Sequence, residues 1–293
     1  MGARGRHPSH DLQLSCLITR GEERNPWRHP IDLVPPLEKV GEDLPALLQE
    51  GEGKDWDDLE AVSEAILGDD PIEIIETLRS AVQSGAKPDQ LAKSLAHAAA
   101  MRIAHFGTSN EFSDWVTSLH TFTYCNALHQ AVKRCPTAEV TRGIFHGAMS
   151  VYLDRFLNIP PAQLPSASTS LEGVPEGQDE LQESFLALLD QRSEVDAAAK
   201  LIEQYLRQGH PINPLIDTLT QATVREDANF HTFQMLEAGV RQYFEWEGTP
   251  QAREILLAIA RYLAAHSPTQ RAQLQTAQIA LRLHRGEALY EED

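Results

Sequence analysis

The second half of the chain brings a histidine and two carboxylates together in the run REDANFHTF. Asp227 and His231 are four residues apart, so on a helix their side chains would share one face. Carboxylate and imidazole donors together suit a transition metal such as iron, manganese or zinc. Glu226 begins the neighbouring stripe and is a further candidate ligand. A capped acidic turn beside a structural histidine explains the same residues, and both interpretations remain open.

The first half of the chain places several histidines in apolar, helical surroundings. His97 and His105 lie two turns apart in the small-residue run SLAHAAAMRIAHF, where alanines leave room for a ligand or a neighbouring helix. His120 and His146 lie in the apolar runs SLHTFTYCNALHQ and RGIFHGAMSVYL, and the neighbours of His120 indicate a more buried position than that of His129. Each histidine alone is typical of a hydrogen-bonded structural residue. Only their convergence would favour a site.

Glu111, in the run HFGTSNEFSDW, is the last candidate ligand, although capping of the helix that follows explains this run equally well. The sequence assigns no catalytic residue. His210, His266 and His284 are placed at helix ends or in loops, where capping or solvent accounts for them. The predicted metal ligands are therefore His105, Glu111, His120, His146, Glu226, Asp227 and His231.

The composition limits the possible functions. The formal net charge is −18, from 43 acidic and 25 basic residues, which argues against binding to nucleic acid or to an anionic membrane surface. No apolar run is long enough to span a bilayer. Cys16, Cys125 and Cys135 form neither a disulfide framework nor a CxxC zinc motif, which favours a reducing cytoplasm. Dinucleotide, P-loop, GxSxG, HExxH and CxxCH motifs are absent from the sequence.

The elements that must position these residues are predicted to be helices. Asp70 before Pro71 starts one helix, and Thr137 caps another that runs to about residue 157. Asn213–Pro214, Thr249–Pro250 and Ser267–Pro268 have the same cap-plus-proline form. Sustained two-residue alternation is lacking, so we expect almost no strand.

The predicted fold class is all-α, a multi-helix bundle made of two degenerate helical repeats. Residues 74–108 align with 198–232 at a constant offset that pairs Gly85 with Gly209 and Phe106 with Phe230. A partly irregular N-terminal arm, a first repeat, a Pro/Ser/Gly-rich linker and a second repeat, packed with the first as one domain, are predicted over 1–56, 57–158, 159–180 and 181–293.

Four segments, within 97–136, 143–160, 225–244 and 283–293, carry a resemblance to a known module. They read HAAAMRIAHFGTSNEFSDWVTSLHTFTYCNALHQAVKRCP, GIFHGAMSVYLDRFLNIP, REDANFHTFQMLEAGVRQYF and LHRGEALYEED. The chain resembles, over most of 57–293, an all-helical bacterial module found in proteins that also carry a Rieske-type two-iron, two-sulfur ferredoxin domain. A Rieske centre needs paired Cys and His segments that this chain lacks. The resemblance implies a redox setting and a separate Rieske-type or other redox partner.

These features predict a cytoplasmic, metal-binding helical protein, and more specifically a non-haem iron oxidoreductase acting on a small molecule. Iron, or alternatively manganese or zinc, would keep an open coordination position for oxygen or substrate. The rival hypothesis is a non-enzymatic acidic scaffold or partner-binding module whose histidines are structural. A third hypothesis, a non-covalent haem carrier, would use His120 or His146.

Overall fold

The structure is a computed structural model that describes residues 31–157, 160–166 and 168–287. Within these residues it has twelve α-helices, a short 3₁₀ turn (Arg155–Leu157) and no strand, which confirms the all-α prediction. Residues 1–30 of the predicted N-terminal arm, with Cys16, lie outside the described residues. The helices are α1 Val34–Gly51, α2 Leu59–Ile66, α3 Pro71–Gln83, α4 Pro88–Ala104, α5 Phe112–Arg134, α6 Ala138–Asp154, α7 Gln178–Leu188, α8 Val195–Arg207, α9 Ile212–Arg225, α10 Phe230–Glu245, α11 Pro250–Ala265 and α12 Ala272–His284.

The chain divides into two compact units. Of the described residues, unit 1 comprises those within Met1–Arg102 and His120–Ile159, and unit 2 comprises those within Ile103–Leu119 and Pro160–Asp293. Unit 2 therefore includes a short segment from the first half of the chain. Among the described residues, no helix combines the length and the apolar character needed to cross a membrane.

Helix α1 belongs to unit 1 and lies within the predicted N-terminal arm, residues 1–56. Leu37, Val40 and Leu44 recur at helical spacing and are buried, and the helix packs against α3 and α6. Two of the prolines occupy the first turn, where a backbone N–H has no helical partner to lose. Pro45 lies inside the helix, and we attribute its tolerance to burial of the apolar stripe.

Glycines on α6 allow α5 to approach it closely within unit 1. A Cβ built on Gly143 would lie 3.1 Å from the hydroxyl of Tyr124, and one built on Gly147 would lie 3.5 Å from Sγ of Cys125. The Tyr124 hydroxyl donates a 3.1 Å hydrogen bond to the carbonyl of Gly143. Burial raises the pKa of Tyr124 to about 12 and raises the pKa of Cys125 as well, so both groups stay protonated at neutral pH.

Helix α11 is the core element of unit 2. Apolar residues run around its whole circumference, from Ile255 to Leu263 and beyond, and almost all of them are buried, as expected for a helix surrounded by others. It packs against α8, α9 and α10. Gly239 on α10 lets the side chain of Ile259 come within 2.5 Å of where a Cβ would stand.

Helices start as predicted after Asp70, Thr137 and Thr249, whereas α9 begins at Ile212, before the predicted Asn213–Pro214 start. The carboxylate of Asp70 accepts hydrogen bonds from the second and third backbone amides of α3, and the hydroxyl of Thr137 caps α6. Thr249 precedes α11 without a side-chain cap. Ser267–Pro268 starts no helix, because α12 begins only at Ala272. The loop that fills this interval shapes the site described below.

The first two helices of the proposed repeats correspond closely. Helices α3 and α8 each have 13 residues, and they begin at the offset that aligns their sequences, as do α4 and α9. Gly85 and Gly209 follow α3 and α8 with positive φ angles of 107° and 70°, a conformation that glycine adopts without a steric penalty. Helices α5 and α10 differ in length, with 23 and 16 residues. The two-repeat organisation of the whole chain stays a prediction.

A candidate small-molecule cleft at His266

A cleft of about 340 Å³ lies in unit 2 where two interhelical connections meet. One wall is the C-terminal end of α11 with the loop from His266 to Thr269. Asp227, Asn229 and Thr232, around the start of α10, also line the cleft, as do Arg192 and Phe112. Volumes of this order are typical of sites that hold one small organic molecule.

Hydrogen bonds donated to Glu226 tie together the two connections that line the cleft. Its Oε2 accepts bonds from the amide and the hydroxyl of Thr269 at 2.7 and 2.8 Å. Its Oε1 accepts bonds from Arg271 at 2.7 and 2.9 Å and from Arg225 at 3.2 Å. Burial alone would raise the pKa of Glu226, but the hydrogen bonds from Arg271 and Thr269 outweigh it and lower the pKa. Glu226 is thus the ionised centre of a hydrogen-bond network, and its role as a metal ligand stays a prediction.

Asp227 lines the cleft and also caps α12. Its two carboxylate oxygens accept hydrogen bonds from the amides of Gln273 and Ala272, both at 2.9 Å, and these bonds lower its pKa. The prediction that Asp227 and His231 share a helical face is wrong, because α9 ends at Arg225 and α10 begins only at Phe230. The side chain of Asn229 caps α10 between them.

His266 presents an unpaired ring nitrogen in this setting. Its Nδ1 lies 2.7 Å from the carbonyl oxygen of Tyr262. A carbonyl only accepts, so Nδ1 carries the hydrogen and Nε2 carries a lone pair. No described residue hydrogen bonds to this Nε2, which is shielded from solvent. Burial lowers the pKa of His266, as does the charge of His231, against the opposing effect of the Tyr262 carbonyl. The imidazole is therefore neutral at pH 7.

Aromatic rings fix the plane of this imidazole. The Tyr262 ring stacks on it with centroids 4.1 Å apart. Trp115 and Phe112 present edges at 6.0 and 5.1 Å. Trp115 is buried, whereas Phe112 is 62% exposed. The ring of Phe112 is thus the one of the three that can turn away into solvent.

Two residues at the cleft adopt a backbone conformation that is unfavourable for L-amino acids. Ser193 on the lining and Arg271 in the Glu226 network have φ angles of 66° and 54°. They are the two non-glycine positions with positive φ in the part of the chain that the structure describes. Such residues cost on the order of 1 kcal/mol each and concentrate at functional sites.

The other predicted ligands are distributed over both units. In unit 2, Nδ1 of His105 lies 2.8 Å from the carbonyl oxygen of Ala162, and Glu111 is exposed. In unit 1, His146 is buried on α6, with 7% of its surface exposed. The burial order predicted on α5 is wrong, because His120 is exposed and His129 is only 2% exposed. The described ranges contain no group of three or more His, Cys, Asp or Glu side chains placed to hold a metal ion.

The chain matches no protein-family model, no curated protein and no solved structure.

His266 is the functional candidate that sequence reasoning missed. The sequence assigned it to helix capping, and its Nδ1 does bond to a carbonyl of the last turn of α11. That assignment accounts for one nitrogen of the ring and leaves the other unexplained. The only signal in the sequence was a histidine directly before Ser267–Pro268, where the chain leaves a strongly apolar helix.

Proposed function

We propose that the protein binds a small molecule in the cleft and that Nε2 of His266 accepts a hydrogen bond from it. The observation that carries this proposal is the unpaired lone pair of Nε2 beside a cleft of suitable size. A buried polar atom without a partner costs free energy. A ligand with an N–H or O–H group removes that cost, so its binding is favoured at this point.

The same nitrogen is able to act as a general base. Its partner nitrogen is held by the Tyr262 carbonyl, which fixes the tautomer and the direction of the lone pair. The low pKa keeps the base unprotonated at neutral pH. It also means that an accepted proton is readily passed on, because the charged imidazolium is disfavoured there.

Access to Nε2 is expected to depend on Phe112. Its exposed ring packs edge-on against the imidazole, and its removal opens the space beside the nitrogen. We expect diethyl pyrocarbonate to modify His266 at least several-fold faster in Phe112→Ala than in the wild type. Peptide mass spectrometry measures the rate of this modification. Phe244→Ala is the matched control, because Phe244 is also an exposed phenylalanine of unit 2 but does not line the cleft. Equal rates in the two variants would count against this route.

Nitrogen NMR of histidine-labelled protein tests the proposed function directly. The probes are phenol and indole, which combine an apolar ring with one donor, and toluene, which has the ring without a donor. Phenol or indole at millimolar concentration should shift the Nε2 resonance of His266, and toluene should leave it in place. The resonance that shifts should be absent from His266→Phe, which assigns it to His266. No response to either donor probe would contradict the proposal.

Metal binding is the second candidate, favoured by the way in which His266 is held. Metal-ligating histidines commonly donate their other ring N–H to a backbone carbonyl, as His266 does to Tyr262. His231 is close enough to lower the pKa of His266, and Asp227 lines the same cleft. An iron, manganese or zinc ion would then take nitrogen from His266 and His231, with open positions for water or substrate. The oxidoreductase activity and the separate redox partner expected from the sequence are proposed only together with this metal-binding candidate.

Elemental analysis separates the two candidates. Protein purified without added metal should contain near-stoichiometric iron, manganese or zinc if the second candidate is right. The same measurement on His266→Ala should then show loss of the metal with the helical circular dichroism retained. Metal-free protein that also takes up no Fe²⁺ anaerobically and no Zn²⁺ would rule this candidate out and leave small-molecule binding.

Two wider assignments accompany the proposed function. We place the protein in the cytoplasm, since Cys125 and Cys135 are free thiols and a reducing compartment keeps them so. We infer that the chain arose by duplication, on the correspondence of α3–α4 with α8–α9.

A purely structural scaffold is the rival to any ligand-binding function, and it predicts no response in the NMR and metal experiments above.

A further inference from the structure

Arg192 gives the cleft a cation that is available to a ligand. It lies on the lining and is exposed, and in the described part of the chain no carboxylate forms an ion pair with it. The planar guanidinium binds carboxylates through two parallel hydrogen bonds. It is therefore suited to recognise a carboxylate on the bound molecule.

Asp227 gives the same cleft a fixed anion. The amides of Ala272 and Gln273 each bond to one of its oxygens and thereby hold the carboxylate in place. The Arg271 amide adds a third hydrogen bond to this carboxylate. A carboxylate has about four lone-pair positions, so one of them remains for a ligand. A cationic donor on the ligand is the complement to this group.

Three of the polar groups that line the cleft favour different parts of one ligand. Arg192 favours an acid, Asp227 favours a cation, and Nε2 of His266 requires an N–H or O–H donor. An ammonium group carries three donors and is able to serve both Asp227 and His266. A ligand with only a negative charge would be repelled by Asp227, and a ligand with only a positive charge would be repelled by Arg192.

Size and apolar lining restrict the ligand further. A volume of about 340 Å³ corresponds to roughly eleven water molecules at about 30 Å³ each, which fits one small molecule. The exposed ring of Phe112 offers an apolar and aromatic contact beside the polar groups. A side chain that is apolar or aromatic matches it.

We propose that the ligand of this cleft is an α-amino acid with an apolar or aromatic side chain, with its carboxylate on Arg192 and its ammonium group between Asp227 and Nε2 of His266. This assignment rests on the proposed function, because it uses the same cleft and the same nitrogen. It adds the substrate class, a zwitterion, which the unpaired nitrogen alone does not specify.

Three related compounds test this assignment by calorimetry and by NMR of His266. L-Phenylalanine has both charges, 3-phenylpropionate lacks the ammonium group, and phenethylamine lacks the carboxylate. We expect L-phenylalanine to bind at least about tenfold more tightly than either analogue and to shift the Nε2 resonance of His266. Arg192→Gln should reduce its affinity about tenfold, whereas Arg241→Gln, which changes an exposed arginine outside the cleft, should have no effect.

The outcomes distinguish this assignment from the proposed function. Analogues that bind as tightly as L-phenylalanine and still shift Nε2 would overturn the zwitterion assignment while supporting a ligand site at His266. An equal loss of affinity for L-phenylalanine in Arg241→Gln and in Arg192→Gln would also overturn it. If none of the three compounds moves the His266 resonance, and phenol and indole fail as well, both proposals are overturned.

Discussion

His266 uses its two ring nitrogens for different purposes. Nδ1 closes the last turn of α11 by bonding to the carbonyl of Tyr262, which is a structural role. Nε2 has no protein partner among the described residues, which is the condition for binding a ligand. At the scale of single residues, the chemistry of the cleft therefore depends on which nitrogen carries the hydrogen.

The pKa of His266 is the first prediction at this scale. Burial should keep it below the ordinary histidine value of about 6.5, and a proton NMR titration of the ring resonances measures it. Because the folded-state pKa is the lower one, the unfolded chain binds the proton more strongly. The contribution of His266 to stability should be fully present above about pH 6.5 and should be lost as the pH falls.

Two matched variants, His266→Gln and His284→Gln, test this pH dependence of stability. Urea unfolding between pH 5 and pH 8 should show a weaker pH dependence in His266→Gln than in the wild type. His284 lies on the exposed helix α12, and its replacement should leave the pH dependence unchanged. A titration that places the His266 pKa above 6.5 would refute the neutral-base interpretation.

At the scale of elements, the cleft exists because two connections between helices are held together. The segment after α9 and the segment after α11 meet at Glu226, whose carboxylate bonds to Thr269 and Arg271. Asp190 bonds to the same arginine and extends the network. Ionic hydrogen bonds therefore hold together the two segments that form the cleft walls.

Replacing Glu226 tests this network. Glu226→Gln removes the charge that is bonded to Arg271 and Arg225, and hydrogen bonds to charged groups contribute about 1.5–3 kcal/mol each. Since Arg271 is partly exposed, we expect a net loss of about 2 kcal/mol in the free energy of unfolding. Glu237→Gln breaks only the exposed pair with Arg241 and should change it by less than about 0.5 kcal/mol. Equal losses would contradict the role given to Glu226.

Asp227 should control the start of α12. Asp227→Ala removes the acceptors of the Ala272 and Gln273 amides, so their hydrogen exchange should accelerate selectively. Because hydrogen bonds lower the pKa of Asp227, the protection should persist at neutral pH and decline as the pH falls through that lowered value. Asp217→Ala, at an exposed position on α9, should leave both amides protected. Unchanged exchange in Asp227→Ala would refute the cap.

At the scale of the whole molecule, the core and the exposed helix α12 contribute very differently to stability. Core positions such as Leu219 on α9 are 0% exposed, whereas α12 contains no buried residue. Leu281 on α12 is 48% exposed. Apolar residues therefore stabilise the fold only where helices pack around them.

Two leucine substitutions measure this difference. Leu219→Ala should reduce the free energy of unfolding by about 2–5 kcal/mol, because it leaves a cavity in a packed core. Leu281→Ala should change it by less than about 0.5 kcal/mol, as at most surface positions. Chemical denaturation of the two variants gives both values, and a large effect at Leu281 would show that α12 is packed in solution.

The sequence determined the fold class and many of the helix starts by itself. Asp70 and Thr137 cap helices in the structure as their types predicted, because capping is a local interaction between a side chain and amides two or three residues on. The apolar stripe of residues 34–51 also specifies a helix. Such features depend on neighbours along the chain.

Only the tertiary structure decided the site. Asp227 and Glu226 look like metal ligands in sequence, but their oxygens bond to Ala272, Thr269 and Arg271, more than 40 residues later. His266 looks like a simple cap in sequence, yet its environment is built from Tyr262, Trp115 and Phe112. Spacing along the chain shows which residues share a helical face. The partners of a buried polar atom come from distant segments, and those partners decide whether it is structural or available to a ligand.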